Sequence, residues 1–114
     1  MSAAVQLAEQ YFAYSNQSDM AQVETLFHQS STYYSANLGF FVSKKAIIDM
    51  QTAFHSQYQT LHWTIDKVVE SKPNIIEIEF SFEGTLQDGK TSKRQGREYI
   101  LVYGGLIQHI AVGL

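Results

Sequence analysis

Residues 74–114 constrain the fold more than any other part of the chain. Between residues 75 and 83, apolar and polar side chains alternate along Ile-Ile-Glu-Ile-Glu-Phe-Ser-Phe-Glu. Because successive side chains of a strand point to opposite faces of a sheet, this alternation predicts a strand that is buried on one face. Asp88-Gly89 and Gly104-Gly105 are pairs typical of tight turns between antiparallel strands. The segment therefore predicts three antiparallel strands whose apolar face needs a cover.

Helices in the earlier part of the chain can supply that cover. Apolar residues recur at three- and four-residue spacing in residues 3–15 and 44–58, which indicates helices with one buried face. Between them, Asp19 predicts the start of a short second helix, with Gln22 completing a capping box. Residues 37–39 are expected to form a turn. Strands are expected at residues 31–36, 61–70, 75–83, 97–103 and 106–114.

The resulting order of elements is α-α-β-α-β-β-β-β. It indicates an α+β architecture in which a curved, mostly antiparallel sheet wraps around helices on one side. Residues 1–114 are expected to form a single domain, since a chain of this length can build one core.

Composition and charge limit the partners that the chain can have. A net charge of -3 and scattered Lys and Arg residues argue against a nucleic-acid surface. No cysteine is present, which excludes disulfides and thiolate metal sites and suits a reducing compartment. No secretory signal is visible, and no apolar run approaches the roughly 18 residues of a membrane helix. We therefore expect a cytoplasmic protein without nucleic-acid or membrane partners.

The order of elements resembles the nuclear transport factor 2-like superfamily, whose cystatin-like cone fold includes ketosteroid isomerase and the SnoaL-like polyketide cyclases. The residues that carry the resemblance are Gln-Tyr-Phe-Ala-Tyr-Ser-Asn-Gln-Ser-Asp at positions 10–19, Val-Glu-Thr-Leu-Phe at 23–27, Tyr-Tyr-Ser at 33–35, Ser-Lys-Lys-Ala-Ile-Ile at 43–48 and Tyr-Gly-Gly-Leu-Ile at 103–107. The superfamily hosts isomerases, dehydratases, epoxide hydrolases and proteins without known chemistry. The resemblance therefore implies the fold and leaves the activity open.

The resemblance also implies a pocket between the concave face of the sheet and the helices. The side chains expected to face it and to contact a ligand are Tyr11, Tyr33, Ser35, Phe54, Tyr58, Trp63, Ile78, Phe80, Phe82, Arg97, Tyr99, Gln108 and Ile110. By the same resemblance, the tyrosine of the isomerase falls on Tyr11, its carboxylate base on Ser35, and its proton-donating acid near Tyr99. Tyr11 and Tyr99 are therefore candidate donors to an oxyanion, but Ser35 cannot serve as an unaided base.

The other catalytic sets of the superfamily are not matched. Arg97 could serve as the arginine of the Asp-Arg-Asp set of the epoxide hydrolases, but no aspartate is expected on the same face of a flanking strand. The four histidines share no metal-ligand spacing, so we expect neither a metal nor a cofactor: His28, His55, His62 and His109. Arg97 has two interpretations, an arginine at the open rim with its guanidinium in water, or a fork that binds an acidic group of a ligand.

A second copy of the chain is the expected partner. Apolar residues are predicted on the outward face of the sheet, at Ile100, Val102, Ile107 and Ala111. An apolar face of this size is costly to leave in water, and in the superfamily the convex face of the sheet commonly packs on a second copy. We therefore expect a homodimer.

Three functions remain open at this point. The first is binding of a small, mainly apolar ligand without isomerase turnover. The second is an isomerase- or cyclase-type enzyme with Tyr11 and Tyr99 as donors and with water or Ser35 in place of the base. The third is a protein-interaction or assembly scaffold. The expected lack of a carboxylate or histidine near the pocket favours the first.

Overall fold

The computed structural model describes residues 2–113, which form three helices and six strands in one sheet. In chain order the elements are α1 (Ala3–Asn16), α2 (Met20–Thr25), β1 (Phe27–Ser35), β2 (Gly39–Val42), α3 (Lys44–Ser56), β3 (Tyr58–Lys72), β4 (Ile75–Leu86), β5 (Thr91–Tyr103) and β6 (Leu106–Gly113). The strand order is β2-β1-β6-β5-β4-β3, with β1 parallel to β6 and the other neighbours antiparallel. The α+β prediction, with a curved and mostly antiparallel sheet, is confirmed.

One strand was missed in the sequence, because β2 begins at Gly39, within the segment predicted to be a turn. It is a short edge strand that pairs with the end of β1, with Phe40 opposite Tyr34. Both of these side chains point outward, and Phe40 is 60% exposed. Its sequence, Gly-Phe-Phe-Val, places apolar residues on both faces and so lacks the alternation that marks a half-buried strand.

The core lies between the concave face of the sheet and the helices. α1 packs against β3 and β4, and α3 packs against β1, β2 and β3. The largest fully buried apolar side chains are Val23, Phe27, Ile47, Ile76, Ile78, Ile100, Ile107 and Ile110. Each strand from β4 to β6 therefore contributes its inward face to one continuous apolar layer.

The face that β5 presents inward is the reverse of the prediction. Ile78 on β4 pairs with Glu98 on β5. Directly opposed residues of an antiparallel pair share a face of the sheet, and Ile78 is fully buried. Glu98 therefore points inward, whereas Arg97 and Tyr99 point outward. The prediction that these two side chains face the pocket is wrong.

The same reversal removes the predicted dimer surface. Ile100, Val102 and Ile107 are 0%, 5% and 0% exposed and belong to the core, so they cannot form a surface. The outward face instead carries a continuous row with one residue from each strand. This outward row consists of Val69, Glu77, Tyr99, Ala111, Tyr34 and Phe40. The homodimer itself stays a prediction, and the outward row replaces the predicted residues as its expected interface.

A bulge in β6 explains why Gln108 was wrongly predicted to face inward and Ile107 was wrongly predicted to face outward. Leu101 pairs with His109, but the next residue, Val102, pairs with Ile107, which leaves Gln108 as the extra residue of β6. Gln108 therefore lies outside the predicted pocket, and its side-chain amide donates to the Tyr103 carbonyl at 2.9 Å.

Asp19 begins α2 as predicted, and its carboxylate accepts the Gln22 amide at 3.2 Å. The second half of the capping box is replaced by a link to α1, because the Asp19 amide donates to the Tyr14 carbonyl at 3.1 Å. We expect Asp19→Ala to lower the free energy of unfolding by about 1 kcal/mol, since the Gln22 amide loses its carboxylate acceptor and keeps only the Asp19 carbonyl, at 3.2 Å. Urea unfolding measures this loss, and Asp19→Asn, which keeps the acceptor, should retain most of the stability. An unchanged midpoint for Asp19→Ala would contradict the capping role.

Candidate ligand-binding site

A cavity of about 470 Å³ lies between the helices and the concave face of the sheet. Most of the predicted pocket residues line it: Tyr11, Tyr33, Ser35, Phe54, Tyr58, Trp63, Phe80 and Phe82. Ile78 and Ile110 face the same side of the sheet, but they are fully buried in the core and do not line the cavity. The resemblance therefore placed most of the wall correctly.

Aromatic rings form one side of the cavity. The ring of Trp63 lies 4.9 Å from that of Phe82 and 6.1 Å from that of Phe54, measured between centroids. Trp63 is held in place by Asn16 at the end of α1. The Asn16 side chain accepts the Trp63 amide at 2.7 Å and donates to the Trp63 carbonyl at 2.9 Å. This pair of bonds fixes the aromatic wall relative to α1.

Tyr11 and Gln51 bring polar groups to the cavity from two different helices. The side-chain amide of Gln51 donates to the Tyr11 hydroxyl at 2.7 Å, and both side chains are buried. Burial raises the pKa of Tyr11 well above its usual value, and the nearby Tyr33 and Glu98 raise it further. The Tyr11 hydroxyl therefore keeps its proton at neutral pH and can donate a hydrogen bond to a ligand.

Glu98 is the carboxyl group of the site, and the prediction that no carboxylate lies near the pocket was wrong. It is 5% exposed, and burial raises its pKa to about 8, so the neutral acid predominates at neutral pH. Among residues 2–113, its Oε2 atom and the Oε1 atom of Gln51 find no hydrogen-bond partner. A buried polar atom without a partner costs about 1–3 kcal/mol, which makes these two atoms candidate contacts for a ligand.

The proposed Tyr11 and Tyr99 pair does not form. Tyr99 is 40% exposed on the outward face, whereas Tyr11 lies on the other side of the sheet in the cavity. Ser35 does line the cavity, but its hydroxyl oxygen accepts the amides of Asn37 and Leu38, each at 3.2 Å. Ser35 therefore shapes the β1–β2 turn and is not positioned as a base.

Arg97 does not reach the cavity. Its guanidinium lies 3.9 Å from the carboxylate of Glu79 on the outward face. Arg97 is therefore not a ligand-binding fork of this pocket. Of the rim interpretation, the solvent-exposed guanidinium is correct, since the side chain is 55% exposed, but the residue lies on the outward face and not at the rim.

Seven polar lining residues were missed in the sequence: Ser15, Asn37, Gln51, His55, Gln57, Arg94 and Glu98. The ring of His55 lies 5.4 Å from that of Trp63, measured between centroids, and its Nδ1 lies 2.9 Å from the Ser18 hydroxyl. Burial lowers the pKa of His55, so the neutral ring predominates at neutral pH. The alternation of β5 could have identified Arg94 and Glu98. They lie an even number of residues from the apolar Ile100 and Val102 and therefore share their face of the strand.

Within residues 2–113, no group of three or more His, Cys, Asp or Glu side chains is arranged to hold a metal ion. No helix in the same range is both long and apolar enough to cross a membrane. The cytoplasmic location stays a prediction.

Residues 8–109 match the model of the SnoaL-like domain family. The chain belongs to this family. The prediction of a nuclear transport factor 2-like, SnoaL-like protein is thereby confirmed. A search of curated proteins found no match.

Solved structures share the fold of this SnoaL-like domain at low sequence identity. An NTF2-like protein of unknown function from Burkholderia pseudomallei has a TM-score of 0.89 and 12% identity, covering 100% of this chain and 92% of that one. A protein of ketosteroid isomerase-like fold from Catenulispora acidiphila, in complex with trimethylamine, has a TM-score of 0.86 and 15% identity over 95% and 84% of the two chains. A candidate SnoaL-like polyketide cyclase from Shewanella putrefaciens has a TM-score of 0.84 and 12% identity over 98% and 89%. At these identities the likeness establishes the fold alone.

Proposed function

We propose that this SnoaL-like domain binds a small, mainly apolar molecule in its cavity and does not act on it as an isomerase. The observation that carries the proposal is the buried cluster of Tyr11, Gln51 and Glu98 inside an aromatic cavity of about 470 Å³. Ligand pockets typically measure about 300–1,000 Å³ and combine apolar walls with a few placed polar groups. The Catenulispora acidiphila protein was solved in complex with trimethylamine, and this supports binding of a small molecule by a protein of this fold.

The polar cluster specifies the end of the ligand that reaches it. At neutral pH, Tyr11 and the neutral acid of Glu98 can each donate a hydrogen bond, and a carbonyl oxygen can accept both. The unpaired Oε1 of Gln51 can in turn accept a bond from a neighbouring hydroxyl or N–H group of the ligand. A flat ketone or quinone with such a group satisfies the cluster.

Isomerase turnover needs a base close to the proton that is removed. The position that the resemblance assigns to that base is Ser35, whose hydroxyl oxygen accepts two backbone amides. Glu98 is mainly protonated at neutral pH, so it serves as a donor rather than a base.

The fluorescence of Trp63 tests ligand binding, because it is the only tryptophan and it lines the cavity. We expect acetylbiphenyl, an elongated aromatic ketone, to quench this fluorescence saturably. Tyr11→Phe should weaken the binding about tenfold, the loss of one buried hydrogen bond. Tyr103→Phe, on a tyrosine that is 72% exposed, is the matched control and should bind as the wild type does. Absence of saturable binding, or equal affinities for the two variants, would contradict the proposal.

A second candidate function is proton transfer by Glu98. The observation that favours it is the pKa of about 8, which is close to the pH at which a general acid or base is most effective. The likeness to a candidate SnoaL-like polyketide cyclase supports the same possibility. Conversion of a β,γ-unsaturated ketone by the wild type, lost in Glu98→Gln, would replace the binding proposal with this one.

We also propose that two copies associate through the outward row. Val69, Tyr99, Tyr34 and Phe40 are between 40% and 60% exposed. Tyr34 and Phe40 are direct neighbours, whereas Glu77 lies between Val69 and Tyr99, and Ala111 lies between Tyr99 and Tyr34. Exposed apolar side chains clustered on one face mark interfaces, and self-association through one face gives a closed two-fold dimer. A scaffold function remains the alternative if the partner is a different protein.

A further inference from the structure

Arg94 is the only side chain lining the cavity, among residues 2–113, that carries a charge at neutral pH. The other two titratable groups near neutrality are uncharged there, because burial raises the pKa of Glu98 and lowers the pKa of His55. The guanidinium of an arginine is always charged in proteins and presents its donors in a planar fork that matches a carboxylate. The cavity is therefore neutral at its buried end and positive at Arg94.

The position of Arg94 on β5 places it at the mouth of the cavity. Arg94, Gly96 and Glu98 follow one another on the inward face, opposite Phe82, Phe80 and Ile78 of β4. Arg94 is exposed, whereas Glu98 is buried, so the line between them runs from the surface to the bottom of the cavity. Four residues of strand span about 13 Å between the Cα atoms, and Gly96 between them has no side chain to fill that space.

The two other cationic side chains nearby on β5 form ion pairs, whereas Arg94 does not. Lys93 and Arg97 face outward and lie 3.9 Å from the carboxylates of Glu83 and Glu79, respectively. In the described residues Arg94 has no ion pair, because the inward face of β4 opposite it offers phenylalanines rather than glutamates. Its guanidinium is thus available to a group that enters the cavity.

We propose that Arg94 recognises an anionic group, of the carboxylate class, on the ligand of this cavity. The inference rests on the proposed ligand-binding function and specifies its ligand. The molecule is elongated and flat, with a carbonyl at the Tyr11 and Glu98 end and a carboxylate at the mouth. An anion at the mouth keeps most of its hydration, whereas its apolar body replaces water along the aromatic wall.

Two matched probes test the inference by calorimetric titration of the purified protein. One is a biphenyl with an acetyl group at one end and a carboxylate at the other, and the second is the same acetylbiphenyl without the carboxylate. We expect the wild type to bind the acid about tenfold more tightly than the neutral ketone at low salt, which is the effect of one charge-assisted contact. Added salt should reduce this preference, since the contact lies at the surface.

Substitutions of the two arginines on β5 separate the possible outcomes. Arg94→Ala should abolish the preference for the acid and leave the affinity for the neutral ketone unchanged, and Arg94→Lys should restore part of it. Arg97→Ala removes the same charge from the outward face and should change neither affinity. If Arg94→Ala keeps the preference, or weakens both probes equally, the inference about Arg94 is wrong while ligand binding stands. If the wild type binds neither probe, the proposed function fails, and the inference fails with it.

Discussion

Replacing Glu98 with glutamine should make the stability of the protein much less dependent on pH. The folded chain holds this acid in its neutral form up to a pKa of about 8, whereas the unfolded chain ionises it near the usual value of 4.5. The free energy of unfolding is therefore unaffected by ionisation of Glu98 below pH 4.5. It falls as the pH rises from 4.5 towards 8, because the unfolded state releases a proton that the folded state retains. At about 1.4 kcal/mol for each of the roughly 3.5 pH units between these two values, the loss is about 5 kcal/mol.

Urea unfolding across this pH range measures the difference. The wild type should be several kcal/mol less stable at about pH 8 than at about pH 5. Glu98→Gln should lose most of that slope, because a glutamine does not ionise. Glu79→Gln, on the exposed outward face, removes a carboxylate without burial and should keep the wild-type slope. Parallel slopes for wild type and Glu98→Gln would show that Glu98 is ionised in the folded protein.

Val102→Asp should unfold the protein rather than produce folded monomers. Val102 is 5% exposed in the core, next to residues of the inward faces of β4 and β6. An unpaired carboxylate in such a site costs several kcal/mol, which is a large part of the 5–15 kcal/mol that stabilises a typical domain. Loss of the cooperative thermal transition in circular dichroism is the expected result.

The neighbouring residue provides the control that tests the dimer. Leu101 is 40% exposed on the outward face, beside the outward row. Leu101→Asp should keep the thermal transition and convert a dimer into monomers in sedimentation. A wild type that is already a monomer at micromolar concentration would contradict the dimer proposal. A folded Val102→Asp protein would contradict the placement of β5.

Much of the candidate site was visible in the sequence together with the resemblance. Tyr11, Phe54, Trp63 and Phe82 were assigned to the cavity and line it. These residues lie on helices with one apolar stripe or on strands with clear alternation, so periodicity gives the buried face on which they lie, and the resemblance implied the cavity on that face. The errors concentrate on β5 and β6, where the pattern is ambiguous.

The ambiguity of β5 has a definite origin. From residue 97 to residue 103 the sequence is Arg-Glu-Tyr-Ile-Leu-Val-Tyr, which places large side chains on both faces. If the even-numbered side chains face the core, Ile100 and Val102 are buried together with Glu98. If the odd-numbered side chains face it, Tyr99 and Leu101 are buried together with Arg97. Because a shift of one residue reverses the faces of a whole strand, local periodicity cannot choose between them.

The α+β class, the helices and the half-buried β4 strand follow from patterns that lie within single segments of the chain. The register of β5 depends instead on a loop and on distant packing. A two-residue loop at Asp88-Gly89 would place Tyr99 opposite Ile78, but Leu86 bonds to Lys90 across a three-residue loop, and Glu98 takes that place. Burial of Ile100 and Val102 against the core offsets the cost of an uncharged buried acid. The chemistry of the cavity was therefore decided by tertiary packing, because only the assembled sheet determines which side of β5 meets the helices.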